Sequence, residues 1–393
     1  MSIDLEHEVR AYAEYLDEIL PTVTADRVRT GVPDRPRPVA APPRWYRRPV
    51  VVFLAAMAVV LLVAVAQLPL LNGPTVTTTP QATGAFVCPP GSNPDQPGPA
   101  DQPRPRLGGL DFMTFHAGSG QVLVLTGDDL WTFDVCTNTW TQAPGPGDIG
   151  LVSDFVYDVD SDRAVAFTSN DEGVARVASY EPATQTWTVK SEFVVRPTRM
   201  GPEAFLFPWL KAAYDPVTGL VVVLEPAMAA MWIYDVDTDT WTEIDHGTTW
   251  LPPGDPFFTY DASVDRLIVY HAHGSTWEYD LRAGQWEPHD TNSLGWEGFG
   301  WWSIGNEFVY DEANQVSVLF SYTDWASVST YDASEHLWAP KVVKGSGGVP
   351  PMTYDPVNER IVMFVGDTYQ WPGVIAYDVA TGEWVTLLEP TTE

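Results

Sequence analysis

The chain has 393 residues, with 52 acidic and 21 basic side chains and a formal net charge of −31 at pH 7. This excess of negative charge repels phosphate backbones, so we do not expect a nucleic acid partner. Aromatic residues make up 12% of the chain, and 35 prolines with 30 glycines supply many turns. This composition excludes wholesale disorder and indicates an all-β protein.

The first predicted element is a short helix in a tail over residues 1–49. This tail carries equal numbers of acidic and basic side chains. Apolar residues from Leu5 to Ile19 recur at helical spacing and predict a helix over 3–20 that ends before Pro21. We expect its apolar stripe to meet a partner helix, a second copy or the membrane surface. The alternative is a short helix that frays alone.

The second predicted element is a transmembrane helix over residues 50–71, where Gln67 is the one polar side chain. As a helix, this segment is about 33 Å long and crosses the hydrocarbon core. Arginines at 44–48 precede it, which predicts a cytoplasmic N-terminus and an extracellular segment from residue 72 onward. The alternative is a signal peptide cleaved after Ala66, with an unusually long charged region before it.

A Pro/Thr-rich extracellular linker is predicted over residues 72–106. The tail is neutral and the span uncharged, so the net charge of −31 falls on the residues that follow. Both cysteines, Cys88 and Cys136, also follow the span. An oxidising compartment favours a disulfide between them, which would fasten the linker to the next domain. The alternative is two free thiols.

Residues 107–388 consist of six similar units, and each begins with a short strand that ends in an aromatic residue. These residues are Phe115, Tyr157, Tyr214, Tyr260, Tyr310 and Tyr354. An aspartate follows directly in five units, and His116 takes its place in the first. A run of aliphatic residues comes next, as is typical of a strand buried on both faces.

A second aromatic–acid pair follows in every unit, and a tryptophan stands six residues beyond the acid. The tryptophans are Trp140, Trp187, Trp241, Trp286, Trp338 and Trp384. Turn-forming residues separate each acid from its tryptophan, which predicts a hairpin. Each unit is therefore a four-stranded antiparallel blade. Six blades predict a closed, all-β propeller, preceded by the transmembrane and cytoplasmic helices.

This spacing resembles the kelch repeat of galactose-oxidase-like propellers, in a membrane-anchored bacterial form, across residues 107–388. The resemblance implies a binding platform more often than an enzyme. The double glycine of that family is reduced to Gly127 and Gly366 in two units. Copper oxidases of the family cross-link a tyrosine to a cysteine. Neither Cys88 in the linker nor Cys136 in a hairpin turn suits that chemistry, so no cofactor is predicted.

Two patterns suggest metal ligands. His271 and His273 share one face of an extended segment, so both imidazoles could bind one metal ion. The alternative is a pair of polar loop residues in place of glycines. Asp158, Asp160 and Asp162 resemble the start of a calcium loop without its glycine and glutamate, and solvated turn acids are the better explanation.

Aromatic residues outside the repeat positions form a candidate binding site. They are Trp209, Trp250, Trp296, Phe299, Trp301 and Trp302. If exposed, these rings would stack on sugars or fill a groove on a protein partner. The alternative is that they fill the first strand of the fifth blade and its neighbours.

The leading functional hypothesis is a membrane-anchored extracellular recognition module without catalysis, whose ligand is a protein or carbohydrate at the cell surface. One alternative is an extracellular glycan hydrolase or lyase with acids near the central channel. Another is a transmembrane regulator that signals through the cytoplasmic helix. Converging carboxylates with a raised pKa in the channel would favour an enzyme, whereas an aromatic surface without them would favour binding.

Overall fold

The structure is a computed structural model. It describes residues 86–105, 111–169, 174–194, 210–225, 230–244, 256–271, 275–289, 308–322, 326–342, 351–364 and 373–389. The chain divides into two compact units, Met1–Gln81 and Ala82–Glu393. The predicted helices over 3–20 and 50–71 lie outside the described residues. Within the described ranges, no helix is long and apolar enough to cross a membrane.

The second unit contains six sheets of four strands each among its described residues. Blade 1 comprises β1 (Asp111–His116), β2 (Gln121–Thr126), β3 (Asp129–Asp134) and β4 (Thr139–Ala143). Blade 2 comprises β5 (Leu151–Asp158), β6 (Arg163–Ser169), β7 (Val174–Glu181) and β8 (Thr186–Val194). Blade 3 comprises β9 (Lys211–Asp215), β10 (Leu220–Glu225), β11 (Ala230–Asp235) and β12 (Thr240–Ile244).

The other three blades repeat this arrangement. Blade 4 comprises β13 (Pro256–Asp261), β14 (Arg266–His271), β15 (Thr276–Asp280) and β16 (Gln285–His289). Blade 5 comprises β17 (Phe308–Asp311), β18 (Val316–Tyr322), β19 (Ala326–Asp332) and β20 (Leu337–Val342). Blade 6 comprises β21 (Met352–Asp355), β22 (Arg360–Phe364), β23 (Val374–Tyr377) and β24 (Trp384–Leu388).

Each blade pairs its strands in chain order and antiparallel, and the first strands of successive blades contact one another around a ring. Strand β21 of the last blade contacts β1 of the first, which closes the ring. The prediction of an all-β, six-bladed propeller with four-stranded antiparallel blades is therefore confirmed. Every blade is built from consecutive strands, so ring closure uses no strand exchanged between blades.

The repeated tryptophans hold neighbouring blades together. Trp338 lies directly across the β19–β20 hairpin from Tyr331, with ring centroids 4.9 Å apart. The same indole meets Tyr270 of the preceding blade at 4.8 Å. Trp140 of blade 1 packs on Phe364 of blade 6 at the same distance, 4.8 Å. The conserved spacing within each unit thus produces the aromatic contacts between units.

The turns between the first and second strands depend on buried acids. Asp158 is only 2% exposed, and its Oδ1 accepts hydrogen bonds from the backbone N–H groups of Asp160 and Ser161. Asp215, Asp261, Asp311 and Asp355 occupy the same place and are at most 1% exposed. The expectation that Asp158 is a solvated turn acid was wrong, because the turn directs its amides at the carboxylate in place of water. Asp160 and Asp162 are exposed, as expected.

Residues 86–105, here called the arm, fasten the first blade to the last. The predicted disulfide between Cys88 and Cys136 is confirmed, with an S–S distance of 2.00 Å. On blade 6, the Arg360 guanidinium is 5% exposed and contacts Asp95 of the arm at 2.9 Å. The backbone N–H of Gly98 donates to the carbonyl of Leu387 at 2.8 Å. The arm therefore bridges blades 1 and 6, between which no strand is exchanged.

Candidate functional site

Four of the six strand-end aromatic residues of the repeat converge at one mouth of the central channel: Phe115, Tyr214, Tyr260 and Tyr310. They line a cavity of about 490 Å³, here called the funnel, to which all six blades contribute. Its lining residues are Phe86, Phe115, Ala117, Val159, Tyr214, Pro216, Tyr260, Ala262, Tyr310, Glu312, Pro356 and Val357. Aromatic rings, prolines and small apolar side chains dominate this list.

The arm begins inside the funnel. Phe86 is a lining residue and packs against the hydrophobic core shared by blades 1 and 6. Its ring lies over Gly120, where a Cβ atom would overlap the phenyl carbons. Gly120 also has a positive φ of 64°, a conformation that glycine adopts without strain. Both features explain why glycine occupies this turn position.

Hydrogen bonds hold the tyrosine rings near the funnel in place. The hydroxyl of Tyr260 donates to Asp265 of its own turn, and the hydroxyl of Tyr354 accepts from the backbone N–H of Ala313 at 3.1 Å. Burial, with the nearby carboxylates, raises the pKa of Tyr260 and of Tyr214 above the ordinary phenol value. These phenols therefore stay protonated at neutral pH and present rigid, uncharged rings.

The funnel has few acidic side chains. Glu312 is the one carboxyl group among its described lining residues, whereas glycoside hydrolysis uses a pair of them. The acid with a large upward shift is Asp154, whose pKa burial raises to about 6. Its carboxylate accepts the backbone N–H groups of Phe155 and Ala212, at 2.8 and 2.7 Å, and it does not line the funnel. Asp154 thus ties blade 2 to blade 3.

A second constellation, here called the seam cluster, consists of Glu278, His289 and His336 where blade 4 meets blade 5. Glu278 on β15 is 1% exposed. Its Oε1 accepts hydrogen bonds from the Tyr331 hydroxyl at 2.9 Å and from His336 Nδ1 at 3.0 Å. Its Oε2 lies 3.0 Å from an Arg266 guanidinium nitrogen. Burial lowers the pKa of His289 below its ordinary value, which favours the neutral imidazole.

Sequence reasoning missed the seam cluster. Its residues come from a strand, a strand end and a turn, and no regular spacing joins them. The turn position of His336 gave no signal either. It holds glycine in two other blades, and Asn138, Gln185 and Asp239 adopt the same positive φ in the remaining three.

Among the metal-binding and aromatic candidates predicted from the sequence, only His271 lies within the described residues. His271 ends β14 and is 1% exposed, with its backbone N–H bonded to the carbonyl of Ser275. Its predicted metal-binding partner, His273, lies outside the described residues. The six candidate aromatic residues also lie outside them: Trp209, Trp250, Trp296, Phe299, Trp301 and Trp302.

Comparison with known proteins supports the fold and goes no further. No family model matches the chain, and no curated protein matches it. Among solved structures, the chain is similar to a structural genomics protein of unknown function from Bacteroides thetaiotaomicron. The TM-score is 0.51 at 13% identity, over 68% of this chain and 70% of that one. The tricorn protease aligns at a TM-score of 0.49 and 12% identity, over 74% of this chain and 27% of that one. Such low identities carry no functional conclusion.

Proposed function

We propose that this protein is a membrane-anchored, kelch-type recognition module that binds its ligand at the cell surface through the funnel. The observation that carries the proposal is the funnel itself, a concave site of about 490 Å³ lined by aromatic rings from several blades. Small-molecule and side-chain ligands bind preferentially in concave, mostly apolar sites with a few polar groups. Because packing holds its tyrosines, and a hydrogen bond to Asp265 also holds Tyr260, little side-chain entropy is lost on binding.

The chemistry of the funnel favours binding over catalysis. Its single described carboxyl group, on Glu312, has no second lining carboxyl with which to act as an acid–base pair. The lining tyrosines hold their protons, so they supply no phenolate nucleophile. Flat, uncharged aromatic faces stack on sugar rings and on apolar side chains. The ligand classes are therefore a carbohydrate or an apolar protein segment.

Anchoring at the cell surface has support from two features. Residues 50–71 are long and apolar enough to span a bilayer as a helix. The disulfide between Cys88 and Cys136 lies on the later side of that segment, and disulfides persist in oxidising compartments. Protease protection of intact cells provides the test: we expect cleavage of the propeller from outside and protection of the N-terminal tail. The reverse pattern would contradict this orientation.

The binding proposal is tested with full-length protein in lipid nanodiscs, screened on a glycan array and against extracellular protein extracts. We expect Tyr214→Ala and Tyr310→Ala to weaken a captured ligand at least tenfold, because each removes a stacking face. The phenylalanine variants should retain binding, because they keep the ring.

Leu337→Ala is the matched control, since Leu337 is an apolar side chain 54% exposed on the outer strand of blade 5 and does not line the funnel. Melting temperatures confirm that each variant is folded. If neither alanine substitution changes the affinity for the ligand, the ligand does not bind in the funnel. Turnover of a glycan by the wild-type protein would refute the pure binding function.

A further inference from the structure

We propose that the seam cluster of Glu278, His289 and His336 binds a divalent transition metal such as Zn²⁺ and thereby joins blades 4 and 5. Each residue offers one ligand atom, and the three atoms lie within 4.8 Å of one another. Two imidazole nitrogens and one carboxylate oxygen form a ligand set typical of protein zinc sites. This site is distinct from the funnel and does not depend on the function proposed for it.

The carboxylate at the centre of the cluster is already oriented. Glu278 is buried, and Tyr331 and Arg266 each hold one of its oxygens by a hydrogen bond. Such outer contacts fix the direction of a metal-ligating carboxylate and are a regular part of metal sites. Arg266 also contacts Glu287 at 2.9 Å. The two carboxylates and the one guanidinium leave a net negative charge for a cation.

An imidazole nitrogen in the cluster lacks a hydrogen-bond partner. His289 Nε2 is buried and makes no hydrogen bond within the part of the chain that the structure describes. Its nearest carboxylate contact is Glu278 Oε2 at 3.4 Å. A buried polar atom without a partner destabilises a fold, because it has lost its hydrogen bonds to water. A metal ion between His289 and Glu278 would satisfy this nitrogen.

Metal binding requires one modest movement. The rings of His289 and His336 are stacked, with centroids 3.8 Å apart and planes 11° apart. Parallel rings cannot both direct an in-plane lone pair at one ion, so one of them must rotate. The His336 side chain is 43% exposed on a turn, whereas that of His289 is 11% exposed. Rotation of His336 therefore completes the site and leaves a fourth position open to water.

Zinc titration of chelator-treated, full-length protein in nanodiscs tests this proposal. An excess of Mg²⁺ is present throughout to occupy weak exposed carboxylate sites. We expect one tightly bound Zn²⁺ per chain in isothermal titration and a rise in melting temperature with zinc. Bound Co²⁺ should show the visible d–d absorption of a four-coordinate ion.

The decisive variant is His336→Asn, because asparagine tolerates the positive φ at this turn and has no imidazole. We expect at least a tenfold loss of Zn²⁺ affinity and loss of the Co²⁺ absorption. Gln185→Asn is the matched control, since Gln185 occupies the equivalent turn of blade 2 with φ of 53° and is exposed. Its zinc binding should equal that of the wild type. Absence of stoichiometric zinc binding by the wild type, or equal binding by H336N, would overturn the site.

Discussion

Replacing Asn138 by glycine tests whether the arm holds the first and last blades together. Asn138 lies in the turn between β3 and β4 and is 0% exposed. Its Nδ2 donates to the carbonyl oxygens of Pro94 at 2.7 Å and Gln96 at 2.9 Å. Both acceptors belong to the arm. Glycine keeps the positive φ of 54° that the turn requires and removes only the side-chain amide.

The expected loss follows from these two buried hydrogen bonds. Each contributes roughly 0.5–1.5 kcal/mol net, and an acceptor left buried without a donor adds a desolvation cost of about 1–3 kcal/mol. Since water can reach part of the arm, we expect Asn138→Gly to lower the free energy of unfolding by about 2–4 kcal/mol. The backbone contribution of glycine is measured separately by Gln185→Gly, at an exposed position with the same turn conformation.

The assay is equilibrium urea denaturation of the oxidised full-length protein in detergent, followed by tryptophan fluorescence. The difference between Asn138→Gly and Gln185→Gly isolates the contacts to the arm. Limited proteolysis should also cleave the arm faster in Asn138→Gly. If the two variants lose the same free energy of unfolding, the contacts of Asn138 do not stabilise the fold, and the role of the arm as a bridge between blades 1 and 6 is refuted.

Three further predictions concern the attachment of the arm and a buried acid between blades 2 and 3. Replacing Cys88 and Cys136 by serine should lower stability by about 4 kcal/mol, because the disulfide closes a loop of 48 residues; identical unfolding midpoints with and without reductant would contradict this. The raised pKa of Asp154, about 6 against an ordinary 3.8, means that the contribution of this carboxyl group to stability is fully present below pH 4 and falls by about 3 kcal/mol as pH rises through 6. Asp154→Asn should remove this fall, and an unchanged pH slope would count against it. Gly120→Ala should destabilise the protein by about 1–3 kcal/mol more than Gly127→Ala. Both glycines have a positive φ, but only at Gly120 would a Cβ atom overlap the ring of Phe86. Equal losses of stability would show that Phe86 does not pack on Gly120.

The propeller was predictable because its turns are local. An aromatic–acid pair followed by a tryptophan six residues later describes one hairpin, in which Tyr331 and Trp338 become cross-strand neighbours. The acid then caps the turn: Asp332 Oδ1 accepts the backbone N–H groups of Ser334 and Glu335. All of these interactions lie within a few residues, so a sequence repeat reveals them without knowledge of the rest of the chain.

The position of the candidate sites was less accessible from sequence. The six tyrosine and phenylalanine residues at the ends of the first strands were identified as repeat markers, yet the convergence of four of them on a funnel follows from ring closure. The seam cluster brings together Glu278 and His336, which are 58 residues apart in the chain. Their contact depends on the packing of blade 4 against blade 5, and no spacing rule describes it.

The sequence by itself therefore determined the blade, the number of blades and the cysteine pair, because each depends on local periodicity or on composition. Only the tertiary structure decided that the first-turn acids are buried, that the arm bridges blades 1 and 6, and that Glu278 meets two histidines. The physical reason is the same in each case. Burial and contact between distant residues depend on how the six sheets pack around the channel, and this packing is a property of the closed ring.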